Sequence, residues 1–135
     1  MLSQKAKYAL RALQMLAADH DKGPVLIGEI SVQQRVPRKF LELILVDLKR
    51  AGFVRSYRGR NGGYMLARAP KDIRFGAVIR LIDGPLALLP CASKTAYRKC
   101  EDCADENTCS IRRLMRKVRD EASRILDKAT LADHL

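Results

Sequence analysis

The stretch VPRKFLELILVDLKRAGFVRSYRGRNGGYMLAR, residues 36–68, decides the fold. Pro37 suits the first turn of a helix, where its missing N–H would have no partner anyway. Leu41, Ile44, Leu45 and Leu48 then recur at i, i+3, i+4 and i+7, which defines one buried helical face. Arg38, Lys39, Glu42 and Lys49 are left largely outside, and Gly52 is placed to end the helix. Phe53 to Tyr57 is rich in strand-forming residues, and Tyr64 to Ala67 can pair with it. Between them lies Arg58-Gly59-Arg60-Asn61-Gly62-Gly63, with glycines that permit positive φ in a turn and arginines at its tip.

Upstream, residues 3 to about 19 read as a helix. Ser3 is its N-cap, and Ala9, Leu10, Leu13, Leu16 and Ala17 form its apolar stripe. Asp21-Lys22-Gly23-Pro24 is turn chemistry. A short helix from about Gly28 to Gln34 carries Ile30 inward. A long first helix, two further helices and a basic hairpin make a winged helix-turn-helix pattern. The third helix fits the major groove of B-DNA and presents Arg38, Lys39, Phe40 and Glu42 to base edges. The hairpin places Arg58 and Arg60 along phosphates or in the minor groove. Lys5 and Lys7 of the opening helix join this DNA-contacting set. An ordinary core helix with a charged outer face has the same periodicity, and the adjoining basic hairpin is what argues against it.

Charge points the same way. The 135-residue chain carries a net charge of +11, and from Arg35 to Arg60 there are eight Lys or Arg against two acids, Glu42 and Asp47. Such an excess favours polyanions. Nearly half the residues are apolar, enough for one buried core. No 18-residue apolar run predicts a membrane helix, and the N-terminus lacks the apolar stretch of a signal peptide, so a cytoplasmic protein with no membrane partner is expected.

Downstream, Phe75 to Ile82 suggests a short helix stopped by Gly84-Pro85. All four cysteines follow in CASKTAYRKCEDCADENTC, residues 91–109. In a reducing compartment such a cluster more often binds metal or does redox chemistry than forms structural disulfides. Three chemistries remain open for Cys91, Cys100, Cys103 and Cys109: an iron–sulfur cluster, a structural zinc and a thiol–disulfide switch. An enzyme or electron carrier built on the CxxC pair is the rival class. It lacks a thioredoxin-like βαβ context, a glycine-rich nucleotide loop and a catalytic triad, so no enzyme is expected. The last helix spans about Ser110 to Lys128. Ile111, Val118 and Ile125 are seven apart, and so are Met115, Ala122 and Ala129, with Leu114 and Leu126 widening the stripe. A heptad-like seam asks for a partner helix, either in the same chain or in a second subunit.

The segment VPRKFLELILVDLKRAGFVRSYRGRNGGYMLAR resembles the IscR/CymR family of dimeric winged-helix transcription regulators, which includes NsrR and RirA. So do the opening SQKAKYALRAL, the segment IRFGAVIRLIDGPLALLPC and the closing ATLADHL. Many members have proline where Arg60 or a neighbour stands here, so this wing tip carries extra charge. The resemblance implies a mainly α fold with a small β-hairpin wing and a long C-terminal dimerisation helix. It divides the chain into a DNA-binding domain at 1–83, a cysteine-containing sensor loop at 84–109 and a dimerisation helix with its tail at 110–135. It further implies a homodimer on a palindromic duplex operator, repressing or regulating transcription. Several members hold an iron–sulfur cluster in this loop through three cysteines, of the 2Fe-2S or 4Fe-4S type. Cys91, Cys100 and Cys109 resemble that arrangement with longer gaps, while the spacing from Cys103 to Cys109 matches the last gap, so both middle cysteines stay candidates. IscR-like members complete the site with a histidine three residues after the last cysteine. Here that position is Arg112, and the second cysteine of the CxxC pair is the available fourth ligand.

Overall fold

The structure, a computed structural model, describes residues 1–133; His134 and Leu135, the end of the expected C-terminal tail, lie outside the described residues. Among the described residues, five α-helices and a two-stranded hairpin follow in the order α1 (Gln4–Ala18), α2 (Ile27–Gln34), α3 (Arg38–Arg50), β1 (Val54–Tyr57), β2 (Gly63–Leu66), α4 (Phe75–Asp83) and α5 (Ser110–Lys128). The mainly α architecture with a hairpin wing and a long C-terminal helix is the one the sequence predicts.

Ser3 caps α1 by accepting the Ala6 N–H at 3.0 Å, and its own N–H donates to Asp83 at the end of α4 at 2.9 Å. That pair ties the first and fourth helices together at one end. Alanines let α1 approach its neighbours closely, and Ala6, Ala9, Ala12, Leu13 and Leu16 are all buried. Between α2 and α3 the turn is tight. Arg35 adopts a left-handed conformation (φ 54°), the Val36 N–H reaches back to the Ser31 carbonyl at 3.1 Å, and the Ser31 hydroxyl donates to the Val36 carbonyl at 2.6 Å. This is the closure of a helix C-terminus by a left-handed residue. It drives Val36 into the core and aims α3 across α2. Pro37 sits at the N-cap of α3, one residue ahead of the first turn where its ring was expected.

The α3 face read from the sequence is buried in full: Leu41, Ile44, Leu45 and Leu48 have no exposed surface. Each such side chain contributes about 1.5–3 kcal/mol of transfer free energy. The wing follows, with Val54 opposite Leu66 and Tyr57 opposite Gly63. Val25 backs it from the other side through N–H···O bonds with Tyr64 at 2.9 and 2.8 Å. Gly63 sits against the Val25 backbone at φ 135°, so any side chain there would collide with that carbonyl and force the strand away.

After α5 the chain turns back. The Leu131 N–H donates to the Ile73 carbonyl at 3.0 Å, Arg74 bridges to Thr130, and Leu131 joins the core cluster. Thr130 and Leu131, just past the expected dimerisation helix, therefore close onto the segment that leads into α4. No helix among the described residues is long and apolar enough to cross a membrane.

Candidate nucleic-acid face and cysteine cleft

Two chemically distinct surfaces stand on this frame. One is basic. Arg38, Lys39 and Glu42 are exposed on the first turns of α3, with Arg38 3.7 Å from Glu42 in an i, i+4 pair. Arg58 and Arg60 are exposed on the hairpin tip, and Lys7 is exposed on α1. Two members of the predicted set are held inward. Phe40 is half-buried and packs edge-to-face on Tyr8, with ring centroids 5.6 Å apart. Lys5 pairs with Asp47 at 2.8 Å, bracing α1 against α3. Sequence reasoning did not single out Leu43 and Val46, which are 62% and 42% exposed on the outside of α3. Their spacing from Lys39, at i+4 and i+7, is the signal that places them on one outer stripe.

The second surface is the cysteine cleft. Pro90–Ala92 forms a 3-10 turn whose Cys91 and Ala92 are buried. The chain then runs through an irregular loop to Cys109, which is the N-cap of α5 and accepts the Arg112 N–H on its sulfur at 3.4 Å. Cys91, Cys100, Cys103 and Cys109 all line one cleft of about 520 Å³, together with Asp102, Asp105, Ile111 and Arg112. The loop thus brings all four predicted thiols to one place. Cys100 Sγ donates toward Cys91 Sγ at 3.7 Å, and this bond raises the Cys100 pKa above the ordinary thiol value, because the neighbour holds its proton. The 3.7 Å separation also suits two thiolates on one tetrahedral centre with metal–sulfur bonds of about 2.3 Å. Among the described residues no three cysteine, histidine or carboxylate side chains close to the spacing of a single bound ion. The four thiols are gathered around one cleft but stand open, with the Asp102 and Asp105 carboxylates beside them. Four thiols around one cleft are a donor set that a sulfur-ligated metal group would accept. Tyr97 donates to Glu106 across the mouth of the loop, and that carboxylate pushes the phenol pKa up.

Two arginines of α5 reach this turn, and the sequence did not flag the more buried of them. Arg112 Nε donates to the Cys91 carbonyl at 2.9 Å. Arg119 is 8% exposed and donates to the Ala92 carbonyl at 2.6 Å, with Asp120 as its carboxylate partner at 2.7 Å. The available signal was a lone arginine inside the Met115–Ala122 stripe.

The α5 surface splits the two heptad series. Ile111, Leu114, Val118 and Ile125 are 40–62% exposed, whereas Met115, Ala122 and Ala129 are half-buried and Leu126 packs on the core. The second series serves the chain itself, and among the described residues the first has no cover.

The profile of the Rrf2 family, described as an iron-dependent transcriptional regulator, matches residues 2–135. A helix-turn-helix transcriptional regulator of Rhodobacter capsulatus, named Rrf2-like, is 47% identical over 100% of this chain and 92% of its own length. Among solved structures, CymR of B. subtilis, titled the global cysteine regulator, superposes with a TM-score of 0.82 at 32% identity, covering 98% of this chain and 94% of that one. IscR of T. potens superposes with a TM-score of 0.78 at 31% identity, covering 98% and 84%.

Proposed function

The chain belongs to the Rrf2 family of transcriptional regulators, and from that premise we propose that it is a homodimeric DNA-binding regulator whose hold on its operator is set by an iron–sulfur cluster in the cysteine cleft. The observation that carries this reading is the convergence of all four thiols on one cleft at the root of α5. Cys91 and Cys109 hold its two ends, one on a buried turn and one capping the helix. Cys100 and Cys103 supply the remaining thiolates. When bound, the cluster supplies a link between these ends that responds to iron and to oxidants. Without it about seventeen residues between Cys91 and Cys109 lose their common anchor, and a loop of that length readily disorders.

The protein's own residues do the rest. Arg38, Lys39 and Glu42 meet base edges from the exposed first turns of α3. Arg58, Arg60 and Lys7 neutralise phosphates. Phe40 supports α3 from behind through Tyr8 rather than meeting a base. The uncovered Ile111/Leu114/Val118/Ile125 stripe is covered by the same stripe of a second copy, which gives a two-fold protein and a palindromic site. Both halves of the DNA-binding unit then move with α5.

Iron and acid-labile sulfide analysis of anaerobically purified chain tests the cluster. Cys91→Ala and Cys109→Ala are expected to abolish it, while Cys100→Ala and Cys103→Ala each leave part, because either can serve as the middle ligand. Full iron in all four variants, or none in the reconstituted wild type, refutes the cluster.

A second reading rests on a specific contact. Cys91 and Cys100 are adjacent at 3.7 Å, and the fold is that of CymR, so a reversible disulfide between them is the alternative switch. Iron-free protein in which mild oxidation removes the Cys91 and Cys100 thiols from alkylation, located by peptide mass mapping, identifies it.

A further inference from the structure

Arg119 is the buried charge that DNA binding and thiol chemistry leave unused. A charge withdrawn from water is costly unless paired and hydrogen-bonded. Here the cost is offset by a carboxylate, Asp120, and by the Ala92 carbonyl at 2.6 Å. Seven residues earlier, about two helical turns along the same face, Arg112 donates to the Cys91 carbonyl at 2.9 Å. The same residue's N–H donates to Cys109 Sγ. Two consecutive carbonyls of the turn that carries Cys91 are thus gripped by two guanidinium groups of α5. Its far end is fixed just as directly to the DNA-binding half. Asp127 takes a two-pronged pair from Arg80 of α4 at 2.6 and 2.8 Å, and its carbonyl accepts Arg74 at 2.5 Å.

We propose that Arg112 and Arg119 are positioning residues that convert the state of Cys91 into the placement of α5, and through Asp127 into the placement of the DNA-binding half. The proposal rests on the reading of the cysteine cleft as the sensor. A carbonyl cannot move independently of its own side chain's Cα, so any change at the Cys91 sulfur shifts the atoms both arginines hold. Coupling through α5 needs two rigid attachments, one at each end, and the structure supplies both. In this chain arginine stands three residues after the last cysteine, and it acts as a strut to the backbone of Cys91.

The test compares DNA affinity in two states of the full chain, cluster-loaded and apo, on a duplex selected from a random pool by the wild type. Coupling free energies of this kind correspond to roughly five- to 150-fold changes in affinity. Arg112→Gln and Arg119→Met are expected to bind the duplex in both states with the ratio collapsed to within about twofold, at unchanged iron per chain. Arg119→Lys, which keeps a donor for the Ala92 carbonyl, is expected to recover part of the ratio. If Arg119→Met does not fold, the half-exposed Arg112 carries the test alone. Variants that keep the wild-type ratio overturn the clamp and leave the sensor reading standing. A collapse accompanied by loss of iron also overturns it, since the arginines would then only be retaining the cluster. A wild-type ratio of one overturns the sensor reading and the clamp together.

Discussion

Helices α3 and α5 are both strongly amphipathic, yet they are attached to the protein by opposite means. In α3 the four apolar positions at i, i+3, i+4 and i+7 are fully buried, and the outer face carries charges beside the exposed Leu43 and Val46. In α5 the one buried residue is Arg119, and Ile111, Leu114, Val118 and Ile125 face outward. Apolar burial holds α3. At its two ends α5 is held by hydrogen bonds and ion pairs, Arg112 and Arg119 on the Cys91 turn and Asp127 with Arg80 and Arg74, and Leu126 adds an apolar contact with the core. Periodicity reports which face of a helix is apolar. It does not report what covers that face.

The contrast predicts where single substitutions hurt most. Leu45→Ala leaves a cavity in a site with no exposed surface and should cost roughly 2–5 kcal/mol in urea unfolding. A loss below about 1 kcal/mol would mean that α3 is not held by its apolar face. Val118→Glu places a charge in the uncovered α5 stripe. In the proposed dimer that charge would be buried and unpaired, which is expensive. Sedimentation should move from dimer to monomer while the far-ultraviolet helix signal persists. Wild-type chain that is monomeric at micromolar concentration would remove the second copy as the cover of this stripe.

This division also marks what was legible beforehand. The α3 face, the hairpin and the Ser110 to Lys128 limits of α5 depend on near-neighbour chemistry, and each was read at nearly its observed position. The inward turn of Phe40 was not, because it is set by Tyr8, 32 residues away on α1. The partition of the α5 heptads was not either. Spacing of seven places 111/118/125 and 115/122/129 equally, and only the packing of α4 and the core against α5 separates them. The cysteines were legible as a group from their confinement to one segment. Their convergence on one cleft depends on how the Pro90–Ala92 turn docks against α5. That docking is made by Arg112 and Arg119, whose side chains carry no apolar signal.

The outer faces of the two helices should also differ in how they meet partners. The exposed start of α3 and the wing tip are expected to contact DNA in different ways. Arg38→Ala should cost about 1–3 kcal/mol and relax base preference, as loss of a bidentate base contact does. Arg60→Ala should weaken binding to all duplexes alike and lower the slope of log affinity against log salt by about 0.9. Fluorescence anisotropy on specific and scrambled duplexes over a salt series separates the two. Identical effects of both substitutions on sequence preference would erase the distinction between helix and wing.

The smallest effect is expected at the polar attachment of α5. Arg80 and Asp127 form a two-pronged pair, and the guanidinium holds the Asp127 carboxyl below the usual carboxylate range. Both side chains remain more than a third exposed, at 35% and 41%, so water screens them and the pair contributes up to about 1 kcal/mol. The sign with pH follows from the depressed folded-state pKa. The stabilisation is fully present above the unfolded carboxylate value of about 3.9 and is lost as pH falls through the lower folded value. Asp127→Asn should therefore be less stable than wild type at neutral pH, and the gap should close in acid. Urea unfolding of both chains at neutral pH and near pH 3 measures this directly. A gap that stays constant with pH would show that Asp127 does not act through its charge, and no gap at all would leave its backbone carbonyl, which asparagine keeps for Arg74, as the attachment. A neutral-pH loss as large as that of Leu45→Ala would mean the polar attachment of α5 is as strong as the apolar attachment of α3, and the contrast between the two helices would fail.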